Sequence, residues 1–199
     1  MLLDKIKDAK ICGSWEQSCT ITVNSLFEDI LELDRRYSEG FSLTFGNLNF
    51  DKNHLMNMIL TLDDMIDKKI WKFDDVEYDY ELAKTITQYW VALSSFSILA
   101  SKEIDLKFSL DEYRDVVNKT VIKKQKDYGP SNISRFGLNG LIIRMHDKIG
   151  RLENLVNNNL NPENESIKDN LLDVIGYSVL SIMWINQTFL LPMSANTTK

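Results

Sequence analysis

Three cations, Arg144, Lys148 and Arg151, recur at i, i+4 and i+7. On a helix that spacing places them along one stripe beside an apolar face. Downstream, Glu165, Asp169 and Asp173 repeat every four residues, and Tyr177 continues the row. Carboxylate oxygens so arranged can hold Mg²⁺, which keeps several waters and binds through a few carboxylates plus substrate phosphates. The cations would then clamp those phosphates. The same residues also admit a plainer arrangement, in which the two stripes neutralise each other across a helix pair.

The stretch KKQKDYGPSNISRFG leads into the basic stripe and carries further chemistry. Lys124, Lys126 and Arg135 add positive charge, Tyr128 and Phe136 offer rings for a stacked base, and Asn132 has the donor and acceptor that read a base edge. Asp127 and Asp147 lie between the cations and join the same candidate ligand-binding set, with Tyr177. Gly129 also reads as a helix C-cap, and Phe136 taken alone reads as a core anchor. Glu153 falls away from the basic stripe and reads as solvent-facing. His146 has no neighbour suited to metal binding or base catalysis, neither cysteine has a nearby histidine, and no phosphate-cradling glycine loop occurs.

These groups must be positioned by helices. The chain has 199 residues, 44% of them hydrophobic, enough for one sizeable core or two small helical units sharing one. A net charge of -6 argues against the broad basic surface of a duplex DNA binder. Cys12 and Cys19 make neither a disulfide framework nor a zinc spacing, and the charged Met1 to Cys12 segment lacks a signal-peptide core. A cytoplasmic protein is expected.

Helical periodicity runs through 22–36, about 53–69, 78–101, 109–128, 138–157 and 165–191, with loops at 41–50, 71–76 and the Asn-rich segment around Pro162. Ser109 and Glu112 form a capping-box pattern, and Gly129-Pro130 should stop that helix. The uncharged run from Val174 to Leu191 approaches the length of a membrane span. Its Gly176, Ser178, Ser181, Asn186, Gln187 and Thr188 suit a helix buried among helices, so no membrane is expected. The fold class is all-α, a helical bundle.

An internal duplication organises this series. Tyr37 and Phe45-Gly46 stand at the same separation as Tyr128 and Phe136-Gly137, and EYDYELAKTITQYWVALSSF lies over ESIKDNLLDVIGYSVLSIMW. The expectation is two tandem copies of a three-helix unit. A degenerate N-terminal repeat spans 1–107 (core 22–101), and a C-terminal repeat carrying the site spans 108–199 (core 109–191). Asn53, Asn57 and Leu60 of the first copy replace the cations Arg144, Lys148 and Arg151. The copies could pair within one chain or across a homodimer.

Three motifs in order, K-x-x-DYG (Lys124 to Gly129), R-x-x-DK-x-x-R-x-x-x-L (Arg144 to Leu155) and E-x-x-x-D-x-x-x-D-x-x-x-Y (Glu165 to Tyr177), resemble the phage and bacterial nucleotide-modification-associated domain 1 family. The resemblance implies a role near nucleotide metabolism or DNA-base modification. The paired charged helices are also similar to all-α nucleoside triphosphate pyrophosphatases of the MazG and dimeric dUTPase type. Those place E-x-x-E on one Mg²⁺-binding helix where this chain has R-x-x-D-K. The expected ligand is a nucleotide or nucleoside phosphate. In the enzymatic form Glu165, Asp169 and Asp173 hold Mg²⁺, and a metal-bound water attacks a phosphoanhydride. The alternatives are a non-catalytic nucleotide binder and a structural interaction module.

Overall fold

A computed structural model describes residues 13–38, 60, 90–91, 93–102, 107, 109–158 and 163–194, without the side chains of 31–38 and 157. The described residues form an all-α bundle. Helix α1 spans Trp15–Ser38, α2 Leu110–Tyr128, α3 Ser131–Ser134, α4 Gly137–Asn157 and α5 Ile167–Ile185; residues 93–102 are also helical. The loop at 41–50, the connector at 71–76 and nearly all of the 53–69 helix fall outside the described residues. So does most of the first copy of the expected duplication.

The first helix starts seven residues before the periodicity suggested. Its apolar row extends back through Cys19 to Trp15, and Trp15 is buried against the chain's C-terminal segment. Ser109 caps α2 as expected, its hydroxyl accepting from the Glu112 N–H at 3.4 Å. Gly129 ends α2 with φ 68°, a conformation that disfavours side chains with a Cβ. Pro130 then opens the single turn of α3.

Helix α5 is the central element, with Leu171, Val174, Ile175, Val179, Ile182 and Met183 all buried. Its serines are tied back to the backbone of the preceding turn: Ser178 donates to the Val174 carbonyl at 2.9 Å and Ser181 to that of Tyr177 at 2.8 Å. These two serines therefore sit in the core with their hydroxyls paired. The most extensive helix pairing is α4 on α5, through Leu141, Met145, Ile149 and Leu152, and α1 packs on α2 and α5. No helix among the described residues is long and apolar enough to cross a membrane.

The expected final helix to Leu191 ends earlier, at Ile185. Gln187 takes φ 60°, and the N–H groups of Thr188 and Phe189 both donate to the Met183 carbonyl, turning the chain back toward α1. Phe189 is then buried with Trp15 and Trp184, its ring centroid 6.4 Å and 5.5 Å from theirs. The apolar run continues past the helix because it fills the core as a turn.

Candidate functional site

The last turns of α2 present Thr120, Lys124 and Tyr128 at four-residue spacing, and that row forms one wall of a cleft. Asn132 and Ile133 of α3 close one end. Arg144 and Lys148 of α4 line the opposite side, and Asp173, Gly176 and Tyr177 of α5 form the floor, with Glu165 at the rim. The volume is about 270 Å³, close to the lower end of small-molecule sites, roughly 300–1,000 Å³.

Lys148 is the hub of its charges. Its Nζ donates to Glu165 Oε2 at 2.7 Å and lies 2.9 Å from Asp173 Oδ2, while Lys124 pairs with the other oxygen of Asp173. Burial pulls the Lys148 ammonium toward a lower pKa. The hydrogen bonds and negative charge of Glu165 and Asp173 outweigh it and hold the pKa above the ordinary lysine value. Arg151 reaches Glu165 with both terminal nitrogens, to Oε2 at 3.3 Å and to the backbone carbonyl at 3.4 Å. Arg144 is different: its Nη2 donates to the neutral Oδ1 of Asn132 at 2.6 Å, and no carboxylate pairs with it among the described residues.

Members of the two expected stripes thus meet, Lys148 and Arg151 on Glu165 and Lys148 on Asp173, and much of the mutual neutralisation that spacing allowed is present. Lys124, Tyr128, Asn132, Arg144, Lys148, Glu165, Asp173 and Tyr177 converge on the cleft. Six other candidates do not line it. Lys126 sits about 200° round the helix from Lys124 and approaches Glu16 of α1 at 4.0 Å. Asp127 and Asp147 are exposed. Arg135 stands 5.4 Å over the ring of Phe136. Arg151 lies one turn beyond Lys148 and acts on the cleft only through Glu165.

Asp169 is the sixth, and it has a local task. Its carboxylate accepts from the Ser166 hydroxyl at 2.7 Å and the Ser166 N–H at 3.0 Å, while Ser166 Oγ accepts from the Asp169 N–H at 3.1 Å. This reciprocal cap starts α5 and holds the Asp169 carboxyl below the usual aspartate range through those Ser166 bonds, against a smaller opposing effect of burial. It also places Glu165 before the helix, so Glu165, Asp169 and Asp173 are not one helical row. Among the described residues no three His, Cys, Asp or Glu side chains gather as a metal-ligand set.

Phe136 is a further departure from expectation. It is 61% exposed where a core anchor was expected, because Gly137 at φ 56° turns the chain into α4 with Phe136 outside. Gln125 is the chief residue that pattern reading passed over. It continues the buried row Tyr113, Val117 and Val121 at four-residue spacing, so a polar group stands where the periodicity calls for an apolar one. That interruption was the available signal.

No curated protein and no solved structure matches the chain. A family model does match residues 124–185, and every charged residue lining the cleft falls within that span. The similarity is to the family described as nucleotide modification associated domain 1.

Proposed function

We propose that the cleft binds a nucleotide or nucleoside phosphate and that the protein serves nucleotide metabolism or DNA-base modification as a binding or accessory component. The observation that carries this reading is Arg144. A guanidinium held in place by a neutral amide, in a cleft with two more cations and two tyrosines, keeps its charge available for an anion. Lys124 and Lys148 add to the phosphate end. Tyr128, 65% exposed, offers a ring face at the mouth for the base. The match of residues 124–185 to a nucleotide-modification-associated family supports the same ligand class.

Hydrolysis is the catalytic form of this reading, suggested by the resemblance to all-α nucleoside triphosphate pyrophosphatases. The side chains favour binding over it. Glu165 and Asp173 are engaged by Lys148, and Asp169 is engaged by Ser166, so the three carboxylates expected to hold Mg²⁺ are not arranged as one preformed seat.

The test is a thermal-shift screen of the full chain against nucleoside mono-, di- and triphosphates and tripolyphosphate, with and without Mg²⁺, followed by product analysis. A ligand that binds the native state raises Tm by mass action. Stabilisation without turnover is the expected result. Mg²⁺-dependent turnover would move the assignment to a hydrolase, and a flat screen would overturn nucleotide binding in favour of an interaction module.

A further inference from the structure

The charges of the cleft nearly cancel, and the remainder limits how much anion it can hold. Lys124, Arg144 and Lys148 line it together with Glu165 and Asp173, three cations against two carboxylates. Lys148 bridges both carboxylates and Lys124 pairs with Asp173, whereas Arg144 is held by the neutral Asn132 amide. The lining is therefore left with a single positive charge in excess, and it resides on Arg144. Just outside, Arg151 adds a cation through Glu165, and the Asp169 carboxylate, whose charge acts on Lys124 and Lys148, offsets it.

A phosphate monoester carries about -1.5 to -2 charges at neutral pH, the phosphate ligand nearest to balancing such a site. Arg144 and Lys148 stand one helical turn apart, about 5–6 Å between Cβ atoms, so one phosphoryl group can take contacts from both. Every added phosphate brings further negative charge, and among the described residues the lining holds no further cation to meet it. A chain extended past Lys148 meets the Glu165 carboxylate at the rim instead. Size points the same way. With a volume of about 270 Å³, the cleft can cover most of a small ligand but leaves the outer phosphates of a longer one beside that carboxylate.

Resting on the nucleotide-binding reading above, we infer that the cleft is a nucleoside monophosphate site. A single phosphoryl group sits between Arg144 and Lys148, and Glu165 at the rim disfavours di- and triphosphate chains.

The experiment is isothermal titration of the full chain, in EDTA, with the nucleosides adenosine, guanosine, cytidine and uridine and with their mono- and triphosphates, for the wild type and Glu165→Gln. The best-bound monophosphate is expected to bind at least about tenfold more tightly than its triphosphate, because like charges brought together are costly. Its free nucleoside should bind at least about tenfold more weakly, having lost the charge-assisted contacts. Glu165→Gln keeps an acceptor for Lys148 but removes the rim charge, and should narrow the monophosphate preference by at least about threefold. Raising salt from about 50 to about 300 mM should narrow it in the wild type as well, which gives the same readout should the variant not fold. A triphosphate that binds as tightly as its monophosphate, or a preference that neither salt nor the substitution changes, would overturn the inference while leaving nucleotide binding standing. If no nucleotide binds, the nucleotide reading itself falls and takes this inference with it.

Discussion

Replacing Lys148 with Met removes the cation that bridges Glu165 and Asp173. The side chains of Lys148 and Asp173 are only 15% and 12% exposed, and their charged atoms are 2.9 Å apart. At an effective dielectric of about 20 the attraction at that distance is roughly 5–6 kcal/mol before desolvation, and deleting one partner of a buried pair costs about 3–5 kcal/mol. Two features lower that figure. Asp173 keeps Lys124, and Glu165 is 44% exposed and keeps Arg151, so its bond to Lys148 adds little. The expected loss is about 2 kcal/mol, or roughly 4–8 °C in Tm for a chain of this length. Urea unfolding of Lys148→Met, Asp173→Leu and the double variant, followed by tryptophan fluorescence, measures it. The double variant should be less destabilised than the sum of the singles by about 1–2 kcal/mol. A Lys148→Met protein within about 0.5 kcal/mol of wild type, with additive singles, would refute the view that this ion pair braces α4 against α5.

Arg144→Ala should weaken nucleoside triphosphate binding by at least about tenfold, the loss of one charge-assisted contact, while urea unfolding of the free protein stays close to wild type, since Arg144 is only partly buried. Because the Asp169 carboxyl titrates below its ordinary value, its stabilisation is present above about pH 4 and is lost as pH falls through the lowered pKa. Asp169→Asn should therefore be weaker than wild type at neutral pH by up to about 1 kcal/mol, with the difference closing in acid unfolding curves below pH 4. Cys19 is fully buried, and burial, with the charge of Glu16, pushes its thiol up to about 12. Its labelling by an aromatic disulfide at pH 8 should require unfolding and follow the urea dependence of global opening. Gly137→Ala should destabilise by more than about 1 kcal/mol, because φ is 56° and an added Cβ would lie 3.0 Å from Trp184. A melting temperature equal to wild type would contradict that geometry.

The helices around the cleft were legible because apolar spacing and stop signals agreed. The α4 row Leu141, Met145, Ile149 and Leu152 is fully buried, and Gly129 ends α2 where the sequence placed the stop. Arg144 and Lys148 were legible as neighbours on one face of α4, since side chains four residues apart on a helix share a face. What spacing could not separate was the use of each charge. Asp169 looked like the middle of an acidic row, yet Ser166 three residues before it makes a cap, and a serine–aspartate pair at that separation is a helix-start signal in its own right. The end of α5 escaped for a related reason: hydropathy continues through Phe189, and only the left-handed turn at Gln187 marks the break. Gln125 was overlooked because single polar residues in an apolar row carry no periodicity of their own.

The segment that follows α5 joins regions far apart in the chain. The Trp15 N–H donates to the Pro192 carbonyl at 2.9 Å, the Ser18 hydroxyl donates to that of Thr188 at 2.7 Å, and both the N–H and hydroxyl of Ser194 donate to Glu16 across a separation of 178 residues. During synthesis, α1 emerges well before the segment that seals its first turn, with 170 residues separating Ser18 from Thr188. Closing so long a loop is entropically costly and slow, so docking of the 188–194 segment belongs among the last events of folding. Until then Trp15 lacks its Phe189 neighbour. A nascent chain released before Phe189 would hold its cleft-forming helices but leave the start of α1 open to chaperones and proteases.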